Sequence, residues 1–322
     1  MRALIAILAA AALAGTPLAA QSAADQSASL HPRADKLQPW TTRLRDAQPE
    51  DAFAAVYRVG SSRLVFVAAK HANTTDSLTF RLIRSAFDEF RFDTVIAEGF
   101  ATARGPDPAS IFRYVAENGP RADGFVEAGE LAPTALGAKI EGATLWGGEP
   151  HDLEIKARLV ADGFPVEDLL GFYVLRTIPQ WIGERKLKSA DDPALRELVT
   201  KALAQNRDRL QLPPSELPGF DEWAAWYRRK NGKPIDSRFV TEEVGPLADG
   251  SFATNSIAYA VSLVRDSYLH ELIVRHLAKG ESVLVVFGAS HLVIHRPALD
   301  AVLGPPCYAG ADLAQAAAMC GG

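Results

Sequence analysis

The 322-residue chain has only two cysteines and two methionines. Both cysteines, Cys307 and Cys320, lie near the carboxyl terminus without C-x-x-C spacing and with no histidine between them. A zinc ribbon, a thioredoxin-type redox pair and a disulfide-dense scaffold are therefore excluded. Runs of basic residues are missing too. Lysines and arginines are scattered, and the formal net charge of −5 gives no electrostatic footprint for nucleic acid or an anionic membrane surface. Beyond residue 20 no apolar stretch is long enough to span a bilayer. The HExxH pair, the GxSxG elbow and the phosphate-binding glycine loop are also absent. The common zinc peptidase, serine hydrolase and nucleotide-binding readings fall with them.

What is present begins at the amino terminus. Met1-Arg2 is a short positive start, Ala3 to Ala14 is apolar but too short to cross a membrane, and Thr16 to Ala20 offers a small-residue cleavage site. This pattern reads as a secretory signal peptide over residues 1–20. No cysteine follows it to take a lipid anchor, so a secreted or periplasmic protein is expected. Residues 21–50, polar and Ser/Ala-rich at their start, read as a flexible leader. In an oxidising compartment Cys307 and Cys320 are expected to close a disulfide in a tail over 306–322.

Between leader and tail, one α/β domain is expected over 51–305. Tyr57 to Gly60 and Leu64 to Ala69 look like strands joined around Ser61-Ser62. Leu78, Leu82, Ile83, Ala86, Phe87 and Phe90 then recur at helical spacing, with Thr75 or Asp76 as cap. Thr94 to Ala97 is a further strand, so the unit is strand, helix, strand, and the sheet is expected to be mixed but largely parallel, with flanking helices. Gly99 to Lys139 is weakly periodic apart from a helical piece around Ile111 to Ala116. Ala143 to Trp146 reads as a strand. A helical insertion covers about 153–232, with Pro179 as a kink and an aromatic group of Trp223, Trp226 and Tyr227 that reads as core packing. The last third returns to α/β: a long amphipathic helix through Ile257 and Ile273 ends at Gly280, and Val283 to Phe287 is a buried-type strand.

Three apolar strands run into residues that move protons or bind metals: Lys70-His71, Glu98-Gly99 and Gly288-Ala289-Ser290-His291. Carboxyl ends of parallel strands are where ligands sit in open α/β sheets, so His71, Glu98 and His291 are expected in one wall. A fourth strand ends at Glu149-Pro150-His151. Two imidazoles with carboxylates suit Zn²⁺, Mn²⁺ or Co²⁺, which would activate a bound water. Glu98 or Glu149 could instead be the general base, or a histidine could take the proton from water without any metal. Each histidine alone is also readable as a hydrogen-bonded loop residue. Arg265-Asp266 is readable as an internal salt bridge or as an oxyanion-stabilising arginine held by its partner. His270 and His276 are not at i, i+4 spacing, His31 falls in the leader, and His295 is a reserve.

Ala-Ala-Lys-His at 68–71, Ile-Ala-Glu-Gly at 96–99, Arg-Asp-Ser-Tyr at 265–268 and Gly-Ala-Ser-His-Leu at 288–292 resemble the TraB/PrgY/GumN and Tiki group. That group is similar in turn to the erythromycin esterases and the ChaN haem-binding proteins. The resemblance implies two related halves, each with a strand-to-(G/A)xxH unit, and here Ala68 stands where the pattern has glycine. It implies divalent metal held by His71, His291 and Glu98, and an arginine, Arg265, near the pocket. The function expected is an exported hydrolase of peptide, amide or ester bonds acting on a peptide or small-molecule substrate, metal-dependent, with Glu98, Glu149 and Arg265 in catalytic roles. The alternatives are a metal-free hydrolase of the erythromycin-esterase kind and a ChaN-like binder of haem or another small ligand.

Overall fold

The computed structural model describes residues 30–101 and 108–321, so the signal peptide expected over 1–20 lies outside the described residues. Strands β1 (Phe53–Val59), β2 (Ser62–Ala69), β3 (Thr94–Ala97), β4 (Thr144–Gly147), β5 (Val283–Gly288) and β6 (Tyr308–Gly310) form one mixed sheet ordered β4-β3-β5-β2-β1-β6. The expected α/β class with a largely parallel sheet is what the fold has. The β1–β2 hairpin turns at Gly60-Ser61, one residue earlier than expected, because Gly60 takes the left-handed φ of 60° that such a turn requires. Strands β2, β5, β3 and β4 run parallel, so their carboxyl ends share an edge. Ala69 is level with Gly288, and Ala97 with Gly147.

The helices are α1 (Thr42–Ala47), α2 (Leu78–Glu89), α3 (Pro108–Glu117), α4 (Leu131–Glu141), α5 (Asp152–Ala161) and α6 (Val166–Leu175). Then come α7 (Ile178–Gly183), α8 (Leu195–Leu210), α9 (Phe220–Asn231), α10 (Ala253–Ala278), α11 (Ala289–Leu303) and α12 (Leu313–Cys320). Successive strand residues point to opposite faces. Val65, Val67, Val95 and Val286 pack with Leu82 and Ile83 of α2, Ala135 of α4 and Leu313 of α12. On the other face Phe66, Ile96, Val285 and Phe287 meet Leu269, Ile273 and Leu277 of α10 and Leu292 and Leu299 of α11. Cover on both faces is why these strands are apolar throughout rather than alternating.

A separate core joins α5 to α9 with Ile257, Ala258 and Val261 of α10. Helix α10, 26 residues and therefore ~39 Å long, belongs to both cores: its first half packs on the helical insertion and its second half on the sheet. Arg265 and Asp266 lie between the two stretches.

Several expectations need correction. The leader is ordered from residue 30: Trp40, 5% exposed, packs with Leu247 and Ile294, a burial that contributes on the order of 2–3 kcal/mol. Backbone bonds Gln38 N–H to Ile294 O (3.1 Å) and Ala248 N–H to Trp40 O (2.7 Å) hold it there. Ser77, not Thr75 or Asp76, caps α2 by accepting from Phe80 N–H. The stretch expected to be irregular before Lys139 holds α4, whose alanines and glycine masked its period. Pro179 starts α7 rather than kinking a longer helix, since proline suits a first helical turn. The 306–322 tail supplies edge strand β6 and α12, with Leu313 and Ala316 in the core. Cys307 and Cys320 are disulfide-bonded, Cα atoms 5.6 Å apart. The strand-to-histidine units differ locally: β2 runs into a loop, β5 directly into α11. Among the described residues no helix is long and apolar enough to cross a membrane.

His270 pins the ordered leader. Its Nε2 accepts the Arg33 backbone N–H at 3.0 Å, and burial lowers its pKa from 6.5 to about 4. The unfolded chain therefore binds this proton more readily than the folded one, and stability is lost as pH falls from about 6.5 towards 4. Replacing His270 by Gln should flatten the pH dependence of urea unfolding in that window by up to about 1.4 kcal/mol per pH unit. An unchanged slope contradicts the assignment.

Candidate active site

The shared strand edge brings the expected residues together in the order His71, His291, Glu98, Glu149, following β2, β5, β3 and β4. Glu98 follows β3 directly, and Gly99, with φ +99°, turns the chain away at once in a conformation that disfavours any side chain. Gly147 ends β4 where a Cβ would fall 2.1 Å from the Phe100 carbonyl oxygen. The missing side chain lets the chain at Phe100 lie directly against β4. His291 sits on the first turn of α11, and His71 in the loop after β2.

Glu98 is the hub. Its Oε2 accepts the Gly288 N–H at 2.7 Å. Its Oε1 accepts from Arg265 Nη2 at 2.8 Å and lies 3.6 Å from His291 Nε2. Burial opposes its charge, yet the nearby His291, with Arg265 and His71, holds its carboxyl well below the usual range. Gly288 shows how closely the group is drawn: a Cβ there would lie 3.4 Å from Glu98 Oε2, 3.4 Å from His71 Nε2 and 3.7 Å from His291 Cδ2.

Each imidazole is oriented from behind by a carboxylate. His291 Nδ1 meets Asp266 Oδ1 at 2.6 Å, and Asp266 also bonds His295 Nε2 at 3.1 Å and Ser262 Oγ at 2.7 Å. Burial works against protonating His291, but the charges of Asp266 and Glu98 outweigh it and raise its pKa. His71 Nδ1 meets Glu130 Oε1 at 2.6 Å, and that bond raises His71 as well. The two rings differ in access: the His71 side chain is 71% exposed and that of His291 7%. Both keep Nε2 on the side of Glu98.

Arg265 and Asp266 do not pair with each other. Consecutive helical residues point about 100° apart, so Arg265 reaches Glu98 and Glu149 while Asp266 reaches α11. Both Glu149 oxygens take bonds from Arg265, one from Nε at 2.6 Å and one from Nη2, so Glu149 is a partner for Arg265 and not a free base. His151 caps α5, its Nδ1 accepting from Leu153 N–H at 3.2 Å, which is the structural of its two readings. Glu130, Ser262 and the supporting role of Asp266 were missed from the sequence. The i, i+4 spacing of His291 and His295 on α11 was the signal available for Asp266, and Glu130 had none.

Around the expected metal set of His71, Glu98 and His291, the carboxylates behind both rings are of the kind that orients ligating imidazoles, and Glu98 also accepts from Arg265 and Gly288. Among the described residues no three His, Cys, Asp or Glu side chains are grouped to share an ion. Two cavities lie away from these residues: one of about 380 Å³ near Arg63, Phe90 and Ser282 at the opposite strand ends, another of about 400 Å³ near Pro179 and Phe239. Comparison with protein-family models, curated proteins and solved structures returns no match to the chain.

Arg265→Met leaves two carboxylates buried without their cation. It should lower unfolding stability by about 3–5 kcal/mol in urea titrations, whereas a loss under about 1 kcal/mol would mean that the pair is not desolvated.

Proposed function

We propose that this chain is a hydrolase of ester, amide or peptide bonds that activates water by acid–base chemistry at His71 and His291, and that it works after export. The observation that carries the reading is the pair of carboxylate-backed imidazoles aimed at one ionised glutamate. Export is supported by the signal-like amino terminus and the disulfide.

In this reading His71, on the open side, takes the proton from water at Nε2 while the water oxygen attacks the carbonyl. Glu130 holds the Nδ1–H and stabilises the imidazolium that forms. His291, kept protonated by Asp266 and Glu98, gives its Nε2 proton to the leaving oxygen or nitrogen as the scissile bond breaks. The first turn of α11 adds backbone N–H groups without intrahelical acceptors, suited to the oxyanion. Solvent restores the starting protonation through exposed His71.

Hydrolysis of p-nitrophenyl esters and p-nitroanilides tests the reading. His291→Ala and Glu98→Gln should each lower kcat/KM by about 10²–10⁴. Because Glu130 raises His71, the base form appears only as pH climbs; Glu130→Gln should move the rising limb of the rate profile to lower pH. Chelation should leave the rate unchanged. Loss on chelation with recovery in Mn²⁺, Zn²⁺ or Co²⁺ would move water activation to a metal. No turnover, with a Soret band on haem titration, would favour the binding-protein reading.

A further inference from the structure

Helix α11 carries a proline inside it, Pro297. Proline has no amide proton, so the helical bond that residue 297 would give to the carbonyl four residues earlier, Val293 O, cannot form. The leader supplies the missing donor. Gln38 Nε2 donates to Val293 O at 2.7 Å, and the Gln38 backbone N–H donates to the next carbonyl, Ile294 O, at 3.1 Å. Trp40 packs with Ile294, and Leu37 and Val293 lie against them. One short segment thus meets α11 at the turn that its proline weakens.

That turn also carries the site's buried acid. His291 lies two residues before Val293, and His295 two residues after it. Both rings bond one oxygen of α10, Asp266 Oδ1, at 2.6 Å from His291 Nδ1 and at 3.1 Å from His295 Nε2. The two bonds hold together only while this part of α11 keeps its angle to α10. A helix bends most readily at an internal proline, and a bend opening between Val293 and Pro297 would move the two rings relative to one another. Gln38 closes the gap where that bend would open.

We propose that Gln38 is a positioning residue for the strand-end site: by supplying the proton that Pro297 lacks, it holds the first turns of α11 at the angle that presents His291 to Asp266 and Glu98. The proposal rests on the hydrolase reading of that site. It makes the leader a working part of the protein, acting through α11 and never touching substrate.

The test is a double-mutant cycle. Gln38→Leu keeps the bulk and removes the donor, while Pro297→Ala gives Val293 O a donor from within the helix, so the two effects should not add. Gln38→Leu should lower kcat/KM for p-nitrophenyl esters by about 10-fold, nearly all of it in kcat, because His291 gives up its proton only as the scissile bond breaks. In the Pro297→Ala protein the same substitution should cost under about 2-fold. A second readout needs no turnover: the low-field proton NMR signal of the His291 Nδ1–H, shared with Asp266, should shift or broaden in Gln38→Leu and recover in the double variant. An unchanged kcat/KM or an unchanged His291 signal in Gln38→Leu overturns the proposal, as does a loss of the same size with Pro297→Ala present. If Pro297→Ala does not fold, Gln38→Lys takes its place: its ammonium can also donate to Val293 O, so rate and signal should stay near wild type, and values matching Gln38→Leu overturn the proposal. If wild-type protein hydrolyses no ester, the hydrolase reading fails by itself, and the His291 signal alone decides for or against Gln38.

Discussion

A guanidinium shared by two carboxylates is the constraint on which this site depends. Arg265 joins Glu98 after β3 and Glu149 after β4, so one side chain of α10 fixes the ends of two strands. Asp266, the next residue, does the same for α11 through His291 and His295. Buried ion pairs are weak evidence for stability because desolvation offsets much of their attraction. What they supply here is geometry: a helix rooted in two hydrophobic cores cannot rotate, so neither can its charged pair.

That rigidity separates the roles of the two histidines. His291 is buried, ringed by Asp266 and Glu98, and is set on a helix whose preceding strand lies at the centre of the sheet. His71 is on a loop and open to water, and it depends on Glu130. The segment carrying Glu130 is itself tied down. Asn73 Nδ2 donates to Val126 O at 2.8 Å, and Asp123 and Glu127 pair with Arg185 at 3.1 Å and Lys186 at 3.4 Å. The helical insertion thus reaches the site from two directions, through α10 and through these pairs beyond α7. Fixed donors and acceptors of this kind lower the cost of reaching a transition state, since little must reorganise when charge moves.

Much of this was legible in the sequence because it followed local pattern. Continuous apolar runs announced β2, β3 and β5, and parallel order put His71, Glu98 and His291 on one edge. The partners behind them were not legible, since Glu130 belongs to an aperiodic stretch and meets His71 only through tertiary packing. The adjacency of Arg265 and Asp266 suggested a mutual salt bridge that helical geometry forbids them from sharing with their true partners. The leader was misread from residue 30 because its polar start hid Trp40, whose burial needs Leu247 and Ile294 from the far end of the chain. The resemblance suggested metal at Glu98; what the sequence did not show is that this carboxylate also accepts from Arg265 and Gly288.

His71 and His291, remote in sequence, share one electrostatic environment around Glu98. Nitrogen NMR of the labelled imidazoles across pH reads this directly. Two nearby rings repel each other's protons, and His291 lowers the pKa of His71. With His291 replaced by Gln, His71 should titrate at higher pH than in the wild-type protein. A His71 titration that stays where it was, or moves down, would contradict it.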